Sequence, residues 1–218
     1  MRIEESVCKK LQYIRALYAR EDELLERVAA SLPEGKRGMQ IGAEEGAVLA
    51  WLVKAFAVKT IVEIGTAAGY SALWMARALP ENGSLHTIEL NPEHAALARK
   101  FFAEDSAATR IILHEGKAAS VLEKLPPQEW DMVFIDADKA AYPFYLNWAE
   151  KNLRVGGLLV ADNTLLFGAL YDEQQNFRVS NNMKNAMQNF NQGLADNENF
   201  STVLLPTGEG LTIARKLL

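Results

Sequence analysis

Residues 60–78, TIVEIGTAAGYSALWMARA, constrain the fold more than any other part of the chain. The apolar run Ile61, Val62, Ile64 reads as a buried strand, 65–69 as a turn, and Ala72, Leu73, Met75, Ala76 and Leu79 as the core face of a helix. Strand, glycine turn and helix are how an open α/β sheet builds a ligand crevice at the carboxyl end of a strand, with helix-start amides aimed into it. Gly65 lets the backbone approach a ligand closely, and Gly69 starts the helix with no side chain in the way. The spacing is G-x-x-x-G, with Ala67 where the dinucleotide fingerprint G-x-G-x-x-G has its second glycine. Glu63 stands inside the apolar strand, where a carboxylate repels a pyrophosphate and suits a ligand with a cationic or ammonium end.

The flanking segments extend this pattern. Helical spacing covers 4–18, 21–32 (stopped by Pro33 and Gly35) and 44–56, with Met39 to Gly42 as a connector. Strands are expected at 84–89, 110–113, 131–135 and 158–161, and helices at 92–104, 118–125 (closed by Pro126 and Pro127), 140–153 (ended by Gly156 and Gly157) and 181–194. A loop is expected at 162–172, and the last strands, 201–205 and 211–214, form a hairpin around 206–210. The alternation predicts an α/β fold with a mostly parallel sheet, helices on both faces and a closing antiparallel hairpin. The 218 residues favour one domain, with 1–40 as a helical arm or lid and 41–218 as the catalytic core. A lone cysteine, Cys8, excludes an internal disulfide framework and a cysteine zinc site. The net charge of −5 weighs against a nucleic-acid or anionic-membrane partner. With no apolar run of about 18 residues and no signal-peptide core, a cytoplasmic protein is expected.

Ligands gather beyond the carboxyl ends of such strands. There the sequence places Glu63 and Gly65, then Glu89, then Asp136 with Asp138 and Lys139, then Asp162 and Asn163. Unpaired, these acids would repel one another, so a cation is expected among them. Asp136, Asp162 and Asn163 are three hard oxygen ligands on adjacent strands, suited first to Mg²⁺, with Ca²⁺ or Mn²⁺ as alternatives. Glu89 is placed to accept hydrogen bonds from ribose hydroxyls. Lys139 is either a surface lysine or, beside a divalent cation, a proton acceptor of lowered pKa. Ser71 is read as a helix cap or as holding a ligand carboxylate, and Tyr70 as pocket wall or core. His86, His94 and His114 are read as structural or solvated, and Trp51, Trp74, Trp130 and Trp148 as core.

Five motifs in this order, MQIGAEEG, VEIGTAAGYSALWMA, FIDADKAAYPFY, GGLLVADN and LLPTGEGLTIARK, carry a resemblance. From Met39 onward the chain resembles the cation-dependent, S-adenosylmethionine-dependent O-methyltransferases of the catechol and caffeoyl-CoA type, above all their bacterial members. The resemblance implies a Rossmann-like methyltransferase fold with a seven-stranded sheet, and a homodimer. It implies that Glu63, Gly65 and Thr66 hold the methionine part of the cofactor, with Ser71 near its carboxylate. Glu89 would bind the ribose, Ala118 the adenine side, and Ile41 would lie against the cofactor. Asp136, Asp162 and Asn163 would coordinate the metal, Asp138 would border cofactor and substrate, and Lys139 matches the family's base. The implied acceptor is a small aromatic molecule with vicinal hydroxyls.

The sequence also departs from family patterns. Phe167 stands where plant sequences often show a basic residue, and the segment after the DN loop is short, which argues against a coenzyme A ester. Ala137-Asp138 replaces the His-Trp pair of the animal enzymes, so their catechol pocket does not carry over. Methylation of a hydroxylated uridine in tRNA is the alternative, with Lys9, Lys10, Arg15, Arg20, Lys36 and Arg37 as a basic arm. A nicotinamide dehydrogenase is opposed by Ala67 and Glu63, and a non-catalytic binding domain by the acid trio and Lys139.

Overall fold

The computed structural model describes residues 2–32, 40–126, 129–172 and 179–218, of which 2–8 by backbone alone. The order is α1 (Arg2–Tyr18), α2 (Glu23–Ala30), α3 (Ala43–Ala55), β1 (Thr60–Ile64), α4 (Tyr70–Ala78), β2 (Ser84–Glu89), α5 (Pro92–Phe102), β3 (Ile111–Glu115), α6 (Ala118–Leu122), β4 (Trp130–Ile135), α7 (Tyr142–Asn152), β5 (Leu153–Ala161), α8 (Asn181–Ala195), β6 (Phe200–Leu205) and β7 (Leu211–Lys216). Among the described residues the strands form one seven-stranded sheet, ordered β3-β2-β1-β4-β5-β7-β6. β1 to β5 pair in parallel, and β7 runs antiparallel to both β5 and β6. The order reverses beside β1, which opens a crevice between β1 and β4 at their carboxyl ends.

Alternation along the central strands fills two cores. Ile61, Met132, Phe134, Leu158 and Val160 face α2 to α5, while Val62, Val133, Ile135, Leu159 and Ala161 face α7 and α8. On the first face α2 contributes Leu25 and Val28, both essentially inaccessible to water, so α2 is seated in the core. Asp22 caps its first turn by accepting from the Leu25 amide (3.0 Å) and pairs with Arg77 of α4 (2.8 Å).

Several boundaries differ from the sequence reading. β5 begins at Leu153, because Gly156 (φ +80°) and Gly157 lie within the strand at a register shift opposite Trp130 and Met132 instead of ending the helix before it. Arg110 closes a 3₁₀ turn, so β3 starts at Ile111, and α6 ends at Leu122 instead of Leu125. Trp51 is not a core residue: it is 64% exposed on α3, whereas Trp130 is buried. Arg15 is paired with Glu44 (2.5 Å) and Arg20 donates to the Ala16 carbonyl. Pro33, Gly35, Lys36, Arg37, Met39, Pro127 and the Cys8 side chain lie outside the described residues.

Candidate active site

The strand tips are held level by backbone bonds across the sheet. The Gly65 amide donates to the Ile88 carbonyl, Asp136 to Ile64, Asp162 to Ile135 and Gly116 to Glu89. Gly65, at φ +105°, passes so close to the Asp136 carbonyl that a Cβ would overlap it. The resulting crevice, of about 470 Å³, is lined by Gly65, Glu89, Ala118, Asp136, Asp138, Lys139 and Asn163 among the expected residues. That volume is in the range of small-molecule sites. Ile41, Thr66, Ser71 and Tyr70 line an adjoining gap that shares Gly65 and Asp136 with it. Glu63 and Asp162 lie beneath these surfaces, 0% and 2% exposed.

Glu89 accepts from the Ala67 amide and from the Asn91 amide, both at 2.8 Å, one on each oxygen. Each oxygen keeps a second lone pair, so the carboxylate is oriented by the turn and still able to accept from a ligand. His94 of α5 comes within 3.8 Å of it and lines the crevice, a position its sequence spacing did not indicate. His86 and His114 are structural: their rings stack at 5.1 Å on adjacent strands and their nitrogens share a hydrogen bond of 3.0 Å.

Glu63 differs from expectation in kind. Thr87, directly opposite on β2, donates to one oxygen (2.6 Å), and Ser71 of α4 donates to the other (2.5 Å). Burial pushes its carboxyl up to about 8, with Asp136 and Glu89 adding to the shift. Ser71 therefore neither caps α4 nor, in this form, presents its hydroxyl proton to a ligand. The cap position is Gly69, at φ +93°. Thr66 is buried and shares a 2.6 Å hydrogen bond with Thr87, extending the same hydroxyl network.

At the β4 and β5 tips, Asp162 is raised well above an ordinary carboxyl, first by burial and then by the charges of Asp136 and Glu45. Its Oδ1 is buried and has no hydrogen-bond partner. A buried oxygen without a donor is costly, and a hard cation is what such an oxygen suits. Asn163, at φ +54°, follows it in a turn docked on the C-terminal hairpin: Thr164 and Leu165 donate their amides to Gly210 and Glu209. Asparagine tolerates this left-handed backbone. No group of three His, Cys, Asp or Glu side chains in cation-binding geometry occurs among the described residues. The expected trio includes an asparagine, and its oxygens still fit a cation by their chemistry and by the orphaned Oδ1.

Lys139 is buried, not a surface lysine. Its ammonium donates to Asp136 Oδ1 (3.0 Å) and to the Tyr142 hydroxyl (2.7 Å), which in turn donates to the Asp162 carbonyl (2.9 Å). Burial lowers its pKa, but Tyr142, Asp136 and Asp162 outweigh that and hold it above the usual lysine range. Tyr142 and Glu45 went unread in the sequence; the only signal for Tyr142 is its i+3 spacing from Lys139 on a turn leading into α7. Asp138 accepts from the Ala140 amide and caps that turn. Tyr145, Phe167 and Met183 supply the apolar wall at this end of the crevice.

The sheet order and the crevice across its strand tips define a Rossmann-like methyltransferase fold. A family model described as O-methyltransferase matches residues 17–217, and the chain belongs to that family. It is 41% identical over 165 residues to the catechol O-methyltransferase of Niastella koreensis, covering 74% of this chain and 75% of that one. Among solved structures it is similar to TomG of Streptomyces achromogenes, an O-methyltransferase of tomaymycin synthesis in complex with SAM (31% identity, 96% of each chain, TM-score 0.85). The O-methyltransferase of Bacillus cereus in complex with SAH is also similar (29% identity, 94% of this chain and 96% of that one, TM-score 0.83).

Proposed function

We propose that this O-methyltransferase uses S-adenosylmethionine and a divalent cation, Mg²⁺ before Ca²⁺ or Mn²⁺, to methylate a vicinal hydroxyl of a small aromatic acceptor. The observation that carries this reading is the partnerless, buried Oδ1 of Asp162, beneath a crevice that Asp136, Asn163 and Glu89 line. SAM and SAH in the TomG and Bacillus cereus structures support the cofactor. The Niastella koreensis relative supports a catechol-like acceptor. When bound, the cofactor supplies an electrophilic methyl group, and the cation a Lewis acid that acidifies an acceptor hydroxyl.

Glu89 orients the ribose, with its two oxygens fixed by backbone amides. Glu63, Gly65, Thr66 and Ile41 enclose the methionine end, and Ala118 borders the adenine side. Asp136, Asp162 and Asn163 hold the cation. Asp138 fixes the turn that presents Lys139. Lys139 Nζ would take the proton of the acceptor hydroxyl after giving its own to solvent; Tyr142, Asp136 and Asp162 hold that proton, and a cation drawing on the two carboxylates would weaken the hold. Tyr145, Phe167 and Met183 flank the acceptor ring and keep water from the reacting oxygen. We also carry over a homodimer from the resemblance, consistent with Tyr13, Tyr18 and Trp51 facing solvent on α1 and α3.

The test is labelled-methyl transfer from SAM to catechols, caffeoyl esters and bulk tRNA, with Mg²⁺ or with chelator. Transfer to the free ortho-dihydroxy aromatics is expected. Asp136→Ala should lower it by more than the roughly 10–100-fold that an outer partner of a metal ligand contributes, while SAH binding remains. Full activity in chelator overturns the cation role, and transfer confined to tRNA overturns the acceptor.

A further inference from the structure

The buried acid that no role above absorbs is Glu45, 6% exposed in the first turn of α3. Its Oε2 accepts from the Gly42 amide at 2.8 Å, closing the capping box of that helix. Gly42 follows directly on Gln40 and Ile41, which wall the gap shared with Gly65, Thr66, Ser71 and Asp136. The same gap is lined by Asp136, the charge of Glu45 and those of Asp136 and Asp162 act on one another, and Glu45 also acts on Glu209. Its neighbour Glu44 is taken up by Arg15. One carboxylate thus holds the backbone of the Gln40–Gly42 wall and shares a field with the rim where a cation would sit. Counted as ions, Asp136, Asp162 and Glu45 set three negative charges against the ammonium of Lys139. The remaining two are what one divalent cation neutralises.

We propose that Glu45 is a positioning residue that ties cation occupancy at Asp136, Asp162 and Asn163 to the Gln40–Gly42 wall of the cofactor site. This rests on the cation reading above. Without a cation, Glu45 keeps the Gly42 amide against the repulsion of the two aspartates. With a cation in place the repulsion is relieved and the wall is drawn onto the cofactor. The two ligands then help each other bind, by the same factor in either direction.

The experiment is calorimetric titration of SAH into the full chain, without cation and with saturating Mn²⁺, together with Mn²⁺ affinity from its paramagnetic resonance. In the wild type Mn²⁺ should tighten SAH by about fivefold or more. Glu45→Gln keeps an oxygen for the Gly42 amide and removes the charge. It should still bind both ligands singly, with the factor close to one and Mn²⁺ held several-fold more weakly. A Glu45 that only caps α3 predicts an unchanged factor in Glu45→Gln, and that result overturns the proposal. A wild type that binds Mn²⁺ without any effect on SAH overturns it equally, whether or not the variant folds. Failure of the wild type to bind Mn²⁺ overturns the cation reading and this inference together, which separates the two.

Discussion

Glu63 holds its place in the centre of the molecule through two hydroxyls, those of Ser71 and Thr87. Its carboxyl titrates near 8 in the folded chain against 4.5 for an ordinary glutamate, chiefly because burial disfavours the ion. Below about pH 4.5 both states are protonated and nothing is lost. Above it the unfolded chain gives up a proton that the folded chain keeps, so stability falls as the pH rises toward 8. Glu63→Gln, which cannot ionise, should gain stability relative to the wild type over that window, by roughly 1 kcal/mol or more. Urea midpoints of both proteins across the window measure it, and a pH-independent difference refutes the assignment. The sequence shows Glu63 as an anomaly because an acid interrupts a β-branched run. Its partners were hidden, since the register that sets Thr87 opposite it belongs to no local pattern. The same holds for Lys139: its neighbours Asp136 and Tyr142 are close in sequence, but the burial that makes them decisive is tertiary.

Among the elements, α2 has an amphipathic pattern that reads, ahead of the sheet, as part of an arm or lid. Leu25 and Val28 settle on the β1–β2–β4 face beside α4, and Arg77 bridges Asp22 and Asp105 across that contact. Leu25→Ala should therefore cost about 2–5 kcal/mol of global stability, read as a shifted urea midpoint in a single transition. Separate early melting of the N-terminal helices, with the remaining transition unchanged, would show instead that α2 is detachable. The element least legible in sequence is the turn after β5. Asn163, Leu166 and Phe167 all have positive φ, in a turn held by the amides of Thr164 and Leu165 on the Gly210 and Glu209 carbonyls. The reading of 162–172 as a loop was right in kind but could not foresee that it fixes Asn163 beside Asp162 and turns Phe167 into the crevice.

For the molecule as a whole, the sheet order places β1, β2, β4 and β5 side by side although β3 intervenes in sequence. That is how Glu89 and Asn163, far apart along the chain, come to border one crevice. No described helix is long and apolar enough to cross a membrane. Large aromatics remain outward on α1 and α3, with Tyr18 78% and Trp51 64% exposed. We expect sedimentation at twice the 24.2 kDa chain mass, with burial of Trp51 seen as a blue shift of tryptophan emission on raising the concentration through the dissociation range. A single-chain mass at all concentrations contradicts the dimer.

Local pattern was enough for the strand–turn–helix at 60–78, the alternation that builds a parallel sheet, and the roster of acids at the strand ends, because these depend on periodicity and on glycine conformation within a few residues. Tertiary structure alone decided which of those acids are buried, which share a field, and which are met by a hydroxyl, a backbone amide or nothing. Electrostatic character is set by distance and by exclusion of water, and neither is a property of neighbours along the chain. Thus Glu63, Glu89 and Asp162, all acids at strand ends, become a neutral acid, a fixed acceptor and a carboxyl with one buried oxygen left without a hydrogen-bond partner.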